Sequence, residues 1–211
     1  TALTALADGA RTVAMHLLRS RASADLERQV ESDLVIRLLE GSADGATIAS
    51  RLGLPQNHLR VIAVQAFIGD QRDAGLLLAF ERATTGFGWS RPGRSALAGN
   101  TVYTVLPGEP SATSRRWVSD LAAALPDQMT MLAGISAVAA VSDLVAARHE
   151  ADECLALHEI DAAGILPLAY DESWDDILLQ RLRTAAGTGR APDRGPVAEL
   201  RRDDREHATA Y

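Results

Sequence analysis

Short continuous apolar runs alternate along this chain with segments in which apolar residues recur every three or four positions. The continuous runs predict buried strands, and they span residues 59–68, 134–141 and 165–170. The segments with helical period predict helices at residues 1–40, 44–54, 73–82, 111–125, 142–159 and 174–186. This alternation indicates an α/β or α+β sandwich with a mixed sheet.

A hairpin is predicted at residues 94–107, which read RSALAGNTVYTVLP. Two short apolar arms flank Gly99-Asn100, a pair that tolerates the positive φ of a two-residue turn. The second arm is rich in β-branched and aromatic residues, as expected of a central strand. It stops at Pro107-Gly108, so the turn should lie at the rim of the sheet.

Polar residues and glycines mark the expected helix ends. Ser111 or Thr113 is expected to cap one helix and Ser142 the next, because a hydroxyl oxygen accepts from free N–H groups of the first turn. Gly41-Ser42 is expected to end the first helix. Residues 187–196 (GTGRAPDRGP) predict a flexible joint, and residues 197–211 form a polar segment with a sparse helical stripe.

The first helix, continuous or broken near residues 20–23, carries apolar residues at alternating steps of three and four. This spacing predicts a seam of about two and a half heptads. Two interpretations stay open: the helix packs on its own domain, or it pairs with a second copy and passes on a signal from an upstream module. The seam residues are Leu3, Leu6, Ala10, Val13 and Leu17.

Residues 44–54 (DGATIASRLGL) are similar to the first helix and turn of a helix-turn-helix. The run that follows, LRVIAVQAF, has no polar face for reading base edges. We therefore expect a short helix leading into the first strand. The net charge of −7 over the whole chain also argues against nucleic-acid binding by this chain alone.

The 211 residues are 47% apolar and include one cysteine, Cys154. This composition predicts a packed core and a reducing compartment, and no apolar run approaches the length of a membrane helix. No secretory signal is visible at the N-terminus. We expect a cytoplasmic protein that does not enter a membrane.

No cluster predicts a metal, a cofactor or a catalytic residue. His149 and Glu153 are one turn apart on a predicted helix, as are Cys154 and His158. The two pairs are separated by about 140° around the helix axis, so they cannot share one ion. Nucleophile-elbow and P-loop motifs are missing, and the chain has no Lys.

The predicted order of elements resembles the GGDEF (nucleotide cyclase-like) fold. Active members carry Gly-Gly-Asp/Glu-Glu-Phe at the hairpin turn, followed by an apolar strand ending in Leu-Pro. The matching residues here are 98–102 (AGNTV), continuing as YTVLP. The second glycine of this motif is kept, and neutral residues occupy its two acidic positions. The first strand lacks the metal-binding Asp of active members. Residues 151–155 (ADECL) are similar to the A-D-x-A-L segment of that fold.

Phosphoryl transfer between nucleotides needs carboxylates that hold divalent cations. The resemblance therefore implies a degenerate member that is not an enzyme.

A narrower resemblance is to the GGDEF-like domain of PucR/CdaR-type bacterial transcriptional regulators. It is carried by residues 33–41 (DLVIRLLEG), 51–54 (RLGL), Glu150-Ala151, 195–197 (GPV), Asp204 and Thr209. In that family a helix from an upstream sensor leads into the domain, and a helix-turn-helix follows it. The resemblance implies a homodimer that contacts DNA only through a C-terminal domain beyond Tyr211, and a small-molecule effector.

These observations divide the chain into four parts. Residues 1–41 form a signalling and dimerisation helix, 42–57 a connecting helix, 58–170 a degenerate GGDEF-like domain, and 171–211 a helical linker. The alternative function is a small-ligand or nucleotide receptor, whose pocket would lie between the hairpin rim and the loop from Gly86 to Gly93. The residues expected to line that pocket are Arg91, Arg94, Gly99 and Asn100.

Overall fold

The computed structural model describes residues 2–69, 71–86, 93–108, 110–160, 167–188, 199 and 202. The described chain forms two compact units, residues 1–173 and 174–211. None of its described helices is long and apolar enough to cross a membrane.

In the described part of the first unit there are five helices, a 3₁₀ turn and five strands. In chain order they are α1 (Ala2–Leu39), α2 (Gly45–Leu52), β1 (Leu59–Ile68), α3 (Arg72–Thr85), β2 (Arg94–Ala98), β3 (Thr101–Pro107), α4 (Ser111–Ala123), β4 (Met129–Ile135), the 3₁₀ turn (Val141–Asp143), α5 (Leu144–Ile160) and β5 (Leu168–Ala169). In the second unit the structure describes α6 (Trp174–Thr188).

The five strands form one mixed sheet in the order β2-β3-β1-β4-β5. The three contacts among β2, β3, β1 and β4 are antiparallel, whereas β5 runs parallel to β4. β1 is the central strand; seven of its ten residues are buried and the other three are half-buried, which explains its continuous apolar run. The α+β sandwich predicted from the sequence is confirmed.

Helices cover both faces of the sheet. The C-terminal end of α1 packs with α2 and α5 on one face, through a core that includes Leu38, Ile48 and Ala151. α3 and α4 cover the other face, where Trp117 and Leu121 pack against Ile62 of β1. Alternate residues of β1 therefore serve two separate cores.

Helix α1 has 38 residues and is about 57 Å long at 1.5 Å per residue. Among its described side chains, the buried apolar ones lie in the last turns, at Leu34, Val35, Leu38 and Leu39. Gly41 ends the helix with a φ of +82°, and the N–H of Ser42 donates to the carbonyl of Arg37 at 3.1 Å. The helix is unbroken at residues 20–23, so the predicted ending is confirmed and the suggested break is wrong.

Four details of the sequence prediction need correction. The strand expected at 134–141 lies earlier, at Met129–Ile135. Of the strand expected at 165–170, the structure describes residues 167–170, and among these Leu168–Ala169 form the strand. Neither expected N-cap forms on α4, since Pro110 holds the cap position and Ser111 instead donates to Glu172. Ser142 lies inside the 3₁₀ turn and does not cap α5.

The predicted joint at 187–196 and the segment 197–211 lie mostly outside the described residues. The part of the joint that is described, residues 187 and 188, continues α6 as helix.

Candidate functional site

The hairpin turn consists of Gly99 and Asn100, both exposed, with a φ of +60° at Gly99. Ala98 faces Thr101 across the turn. On the other side of β3, Val102 faces Val64 of β1. This register places Gln65 of β1 beside the first residue of β3, so the rim of the sheet is built from the turn and the second half of β1.

Uncharged side chains connect the turn to β1. Nε2 of Gln65 donates to Oγ1 of Thr101 at 3.3 Å, and the Thr101 hydroxyl donates to Oδ1 of Asn100 at 3.4 Å. Thr101 is buried, with 5% of its surface exposed. These hydrogen-bonded amide and hydroxyl groups can position a polar group, but they supply no carboxylate of the kind that Mg²⁺ prefers. Gln65 is the member of this set that the sequence analysis missed.

No group of three or more His, Cys, Asp or Glu side chains that could hold a metal ion occurs in the part of the chain that the structure describes.

Arg94 lies at the other end of β2 from the turn. Arg94 and Ala98 are the two ends of β2, and four steps along an extended strand correspond to about 13 Å. The Nε of Arg94 donates to the carbonyl of Leu52, and its Nη1 lies 3.8 Å from Oε1 of Glu31. The structure therefore does not bring Arg94 to the hairpin rim, and Arg91 lies outside the described residues.

Arg94 instead lines a cleft of about 360 Å³ between α1, α2 and the start of β2. Glu31 and Arg51 line the same cleft. A larger groove of about 670 Å³ lies between α1 and α3, with Ile36 and Phe80 in its lining. Both openings flank α1 near the point where this helix leaves the domain.

The four residues that were considered above as metal ligands all lie on α5, as the helical spacing predicts. Cys154 is fully buried, and burial raises the pKa of its thiol to about 12. His158 is also buried, and its Nδ1 lies 3.2 Å from the backbone nitrogen of Ala133 and 3.0 Å from the oxygen. His149 is exposed, so the two pairs lie on different sides of α5.

Two polar clusters have no counterpart in the sequence analysis. The first joins β3 to α5: the Tyr103 hydroxyl donates to Oδ1 of Asp152 at 2.8 Å, and the Arg148 guanidinium lies 4.6 Å from the centre of the Tyr103 ring. Burial raises the pKa of both Tyr103 and Asp152. This cluster fixes α5 on the sheet. Its residues line neither the cleft beside α2 nor the groove between α1 and α3.

The second cluster surrounds Arg60 of β1, whose side chain is only 3% exposed. Its guanidinium donates to the carbonyl of Ser136 at 2.7 Å and to both carboxylate oxygens of Asp171, at 2.8 and 3.2 Å. Nearby in sequence, Glu172 accepts from Arg115 at 2.6 Å. These ion pairs attach the segment after β5 to β1 and α4.

Of the five predicted seam residues, the structure describes the side chain of Val13, which is 59% exposed. Leu3, Leu6, Ala10 and Leu17 fall within the bounds of α1, but their side chains lie outside the described part of the chain.

No curated protein matches the chain. Residues 40–157, more than half of the sequence, match the family described as "GGDEF-like domain". The matched segment runs from the end of α1 through most of α5 and includes the hairpin and β1. The mixed five-stranded sheet with helices on both faces is consistent with that match, and the chain belongs to the GGDEF-like domain family.

Proposed function

We propose that this chain is a non-catalytic regulatory module of a bacterial transcriptional regulator of the PucR/CdaR type. Helix α1 carries a signal from an upstream sensor and pairs with α1 of a second copy. The GGDEF-like domain passes the signal toward a C-terminal DNA-binding domain. The protein acts in the cytoplasm.

The observation that supports this proposal most strongly is that the side chains described at the hairpin rim are uncharged. Gln65, Asn100 and Thr101 form a hydrogen-bonded chain at the place where active cyclases of this fold carry acids. Charge neutralisation of a triphosphate by Mg²⁺ needs anionic ligands that hold the ion in place. Neutral amide and hydroxyl groups bind Mg²⁺ weakly in competition with water, so the rim is poorly suited to phosphoryl transfer.

The exposed part of α1 supports the role in signalling. Val13 and Leu18 are 59% and 65% exposed, although the end of the same helix is buried in the core. The removal of a large apolar side chain from water is favourable in free energy. An α1 helix that continues out of the domain with such residues is suited to packing against another helix.

The absence of catalysis is tested by incubating the purified chain with Mg²⁺ and each nucleoside triphosphate, followed by ion-exchange chromatography. A cyclase of this fold that carries both acids serves as the positive control. We expect no Mg²⁺-dependent product above the enzyme-free blank. A cyclic or linear dinucleotide product that requires Mg²⁺ would contradict the proposal.

Dimerisation through α1 is tested by light scattering on the double variant Leu6→Asp/Leu17→Asp. Charges at two seam positions should convert a dimer to a monomer, because buried unpaired carboxylates are strongly unfavourable. Leu77→Asp is the matched control, since Leu77 is 59% exposed on α3 and outside the seam. A mass that the double variant leaves unchanged would show that the seam does not hold two copies together.

A further inference from the structure

The cleft between α1, α2 and the start of β2 has an apolar wall that the fold leaves partly open to water. Leu34 and Leu52 are buried at its base, whereas Leu26 and Val30 are 66% and 46% exposed. Leu26, Val30 and Leu34 are spaced four residues apart, so they form one stripe along α1. Burial stops partway along this stripe, just where the cleft opens.

Charged side chains of opposite sign face each other across the same cleft. Glu27 and Glu31 lie one turn apart on α1, and Arg51 and Arg94 belong to α2 and β2. Arg94 and Glu31 form a loose pair at 3.8 Å. Arg51 has no ion-pair partner among the residues that the structure describes. The cleft thus presents acids from α1, bases from α2 and β2, and apolar side chains from α1 and α2.

The volume of about 360 Å³ lies near the lower end of the range for pockets that bind small molecules. A simple carboxylate can pair only with the two arginines, and a simple amine can pair only with the two glutamates. A ligand that carries both charges on a small apolar body satisfies all three surfaces at once.

We propose that this cleft binds a small α-amino acid with a branched apolar side chain. Its carboxylate accepts hydrogen bonds from Arg51 and Arg94, and its ammonium group donates to Glu27 and Glu31. Its side chain covers Val30 and Leu26. The site depends on the cleft alone and stands whether or not the chain belongs to a transcriptional regulator.

The test is an NMR titration of the ¹⁵N-labelled chain with three matched probes. L-leucine carries both charges, 4-methylpentanoate lacks the amine, and 3-methylbutylamine lacks the carboxylate. We expect L-leucine to shift the amide signals of the cleft residues saturably, with a dissociation constant on the order of 1 mM. Both single-charge probes should bind at least about tenfold more weakly.

Three outcomes would overturn the proposal. One is equal binding of all three probes, which would mean that only the apolar wall is recognised. Another is no saturable shift with L-leucine up to about 20 mM. The third is that the cleft signals shift with protein concentration instead of with ligand, which would show that a second copy covers the cleft.

Variants assign the site to named side chains. Arg51→Ala and Glu27→Gln should each weaken L-leucine binding by about tenfold or more, since each removes one charged contact. Arg116→Ala is the control, because Arg116 is exposed on α4, on the opposite face of the sheet. A dispersed spectrum like that of the wild type confirms that each variant folds. Unchanged affinity in Arg51→Ala and Glu27→Gln would rule out the cleft as the binding site.

Discussion

Gly134 of β4 lies directly beneath α5, and replacing it with alanine should disrupt this packing. A Cβ at position 134 would lie 2.2 Å from the carbonyl oxygen of Ala151 and 2.3 Å from the backbone nitrogen of Leu155. Ordinary contacts of this kind are 3.4–4 Å, so α5 would have to move away by more than about 1 Å. Overpacked cores commonly lose about 1–3 kcal/mol when side chains can rotate away.

The atoms in the way here are helix backbone, which cannot rotate. We therefore expect Gly134→Ala to lower the free energy of unfolding by about 4 kcal/mol, a large part of the usual stability of a domain. The assay is urea unfolding followed by far-ultraviolet circular dichroism and tryptophan fluorescence. The matched control is Gly187→Ala in α6, where a Cβ meets no atom within 4 Å.

Gly187→Ala should change stability little or raise it by up to about 1 kcal/mol, because alanine favours the helix over glycine. If Gly134→Ala unfolds at the same urea concentration as the wild type, then α5 does not rest on β4 as closely as described.

Other side chains give three further predictions. Asp171→Ala leaves the buried Arg60 without its carboxylate and should cost about 3 kcal/mol in urea unfolding; a loss below about 0.5 kcal/mol would contradict the ion pair. Hydrogen bonds from Arg115 and Ser111 lower the pKa of Glu172 below 4.5. Its contribution to stability is therefore complete above that pH and lost as the pH falls through the lowered pKa, so Glu172→Gln should show a smaller loss of Tm on acidification. Cys154, with a pKa raised to about 12 by burial, should react with an aromatic disulfide reagent only after unfolding, and rapid reaction of the native chain would contradict its burial.

The central part of the fold could be predicted from the sequence because local signals there agree with one another. β1 has the predicted bounds, Leu59–Ile68, since a continuous apolar run of that length suits a strand buried on both faces. The hairpin was predictable from Gly99-Asn100, whose turn preference coincides with β-prone arms.

The strand β4 shows where local signals fail. The residues after Ile135 are as apolar as a strand, but the register with β1 pairs Ile135 with Ile62 and Met129 with Ile68. After Ile135 the chain leaves the ladder and returns to it only at Ala139, which pairs with Leu59 in an isolated bridge. Register depends on a partner strand distant in sequence, so the apolar pattern of one segment could not define the ends of β4.

Long-range partners explain the polar residues that were missed. Arg60 stands inside an apolar run, and its partner Asp171 is 111 residues further along the chain. Nothing local to either residue predicts the pair.

The candidate site is a different case. Arg94 and Asn100 were expected to share one pocket, yet a full strand separates them. The rise per residue of a strand is sufficient to show that Arg94 and the turn that contains Asn100 lie at opposite ends of β2.

The most direct test of the proposed loss of catalytic function is a titration of the ¹⁵N-labelled chain with Mn²⁺, a paramagnetic substitute for Mg²⁺. A bound Mn²⁺ broadens the amide signals of residues close to it. If the hairpin rim holds no divalent cation, the signals of Gly99, Asn100 and Thr101 should broaden no more than that of Gly41 at the end of α1. Selective loss of the three hairpin signals, at Mn²⁺ concentrations that leave the rest of the spectrum sharp, would contradict the proposal.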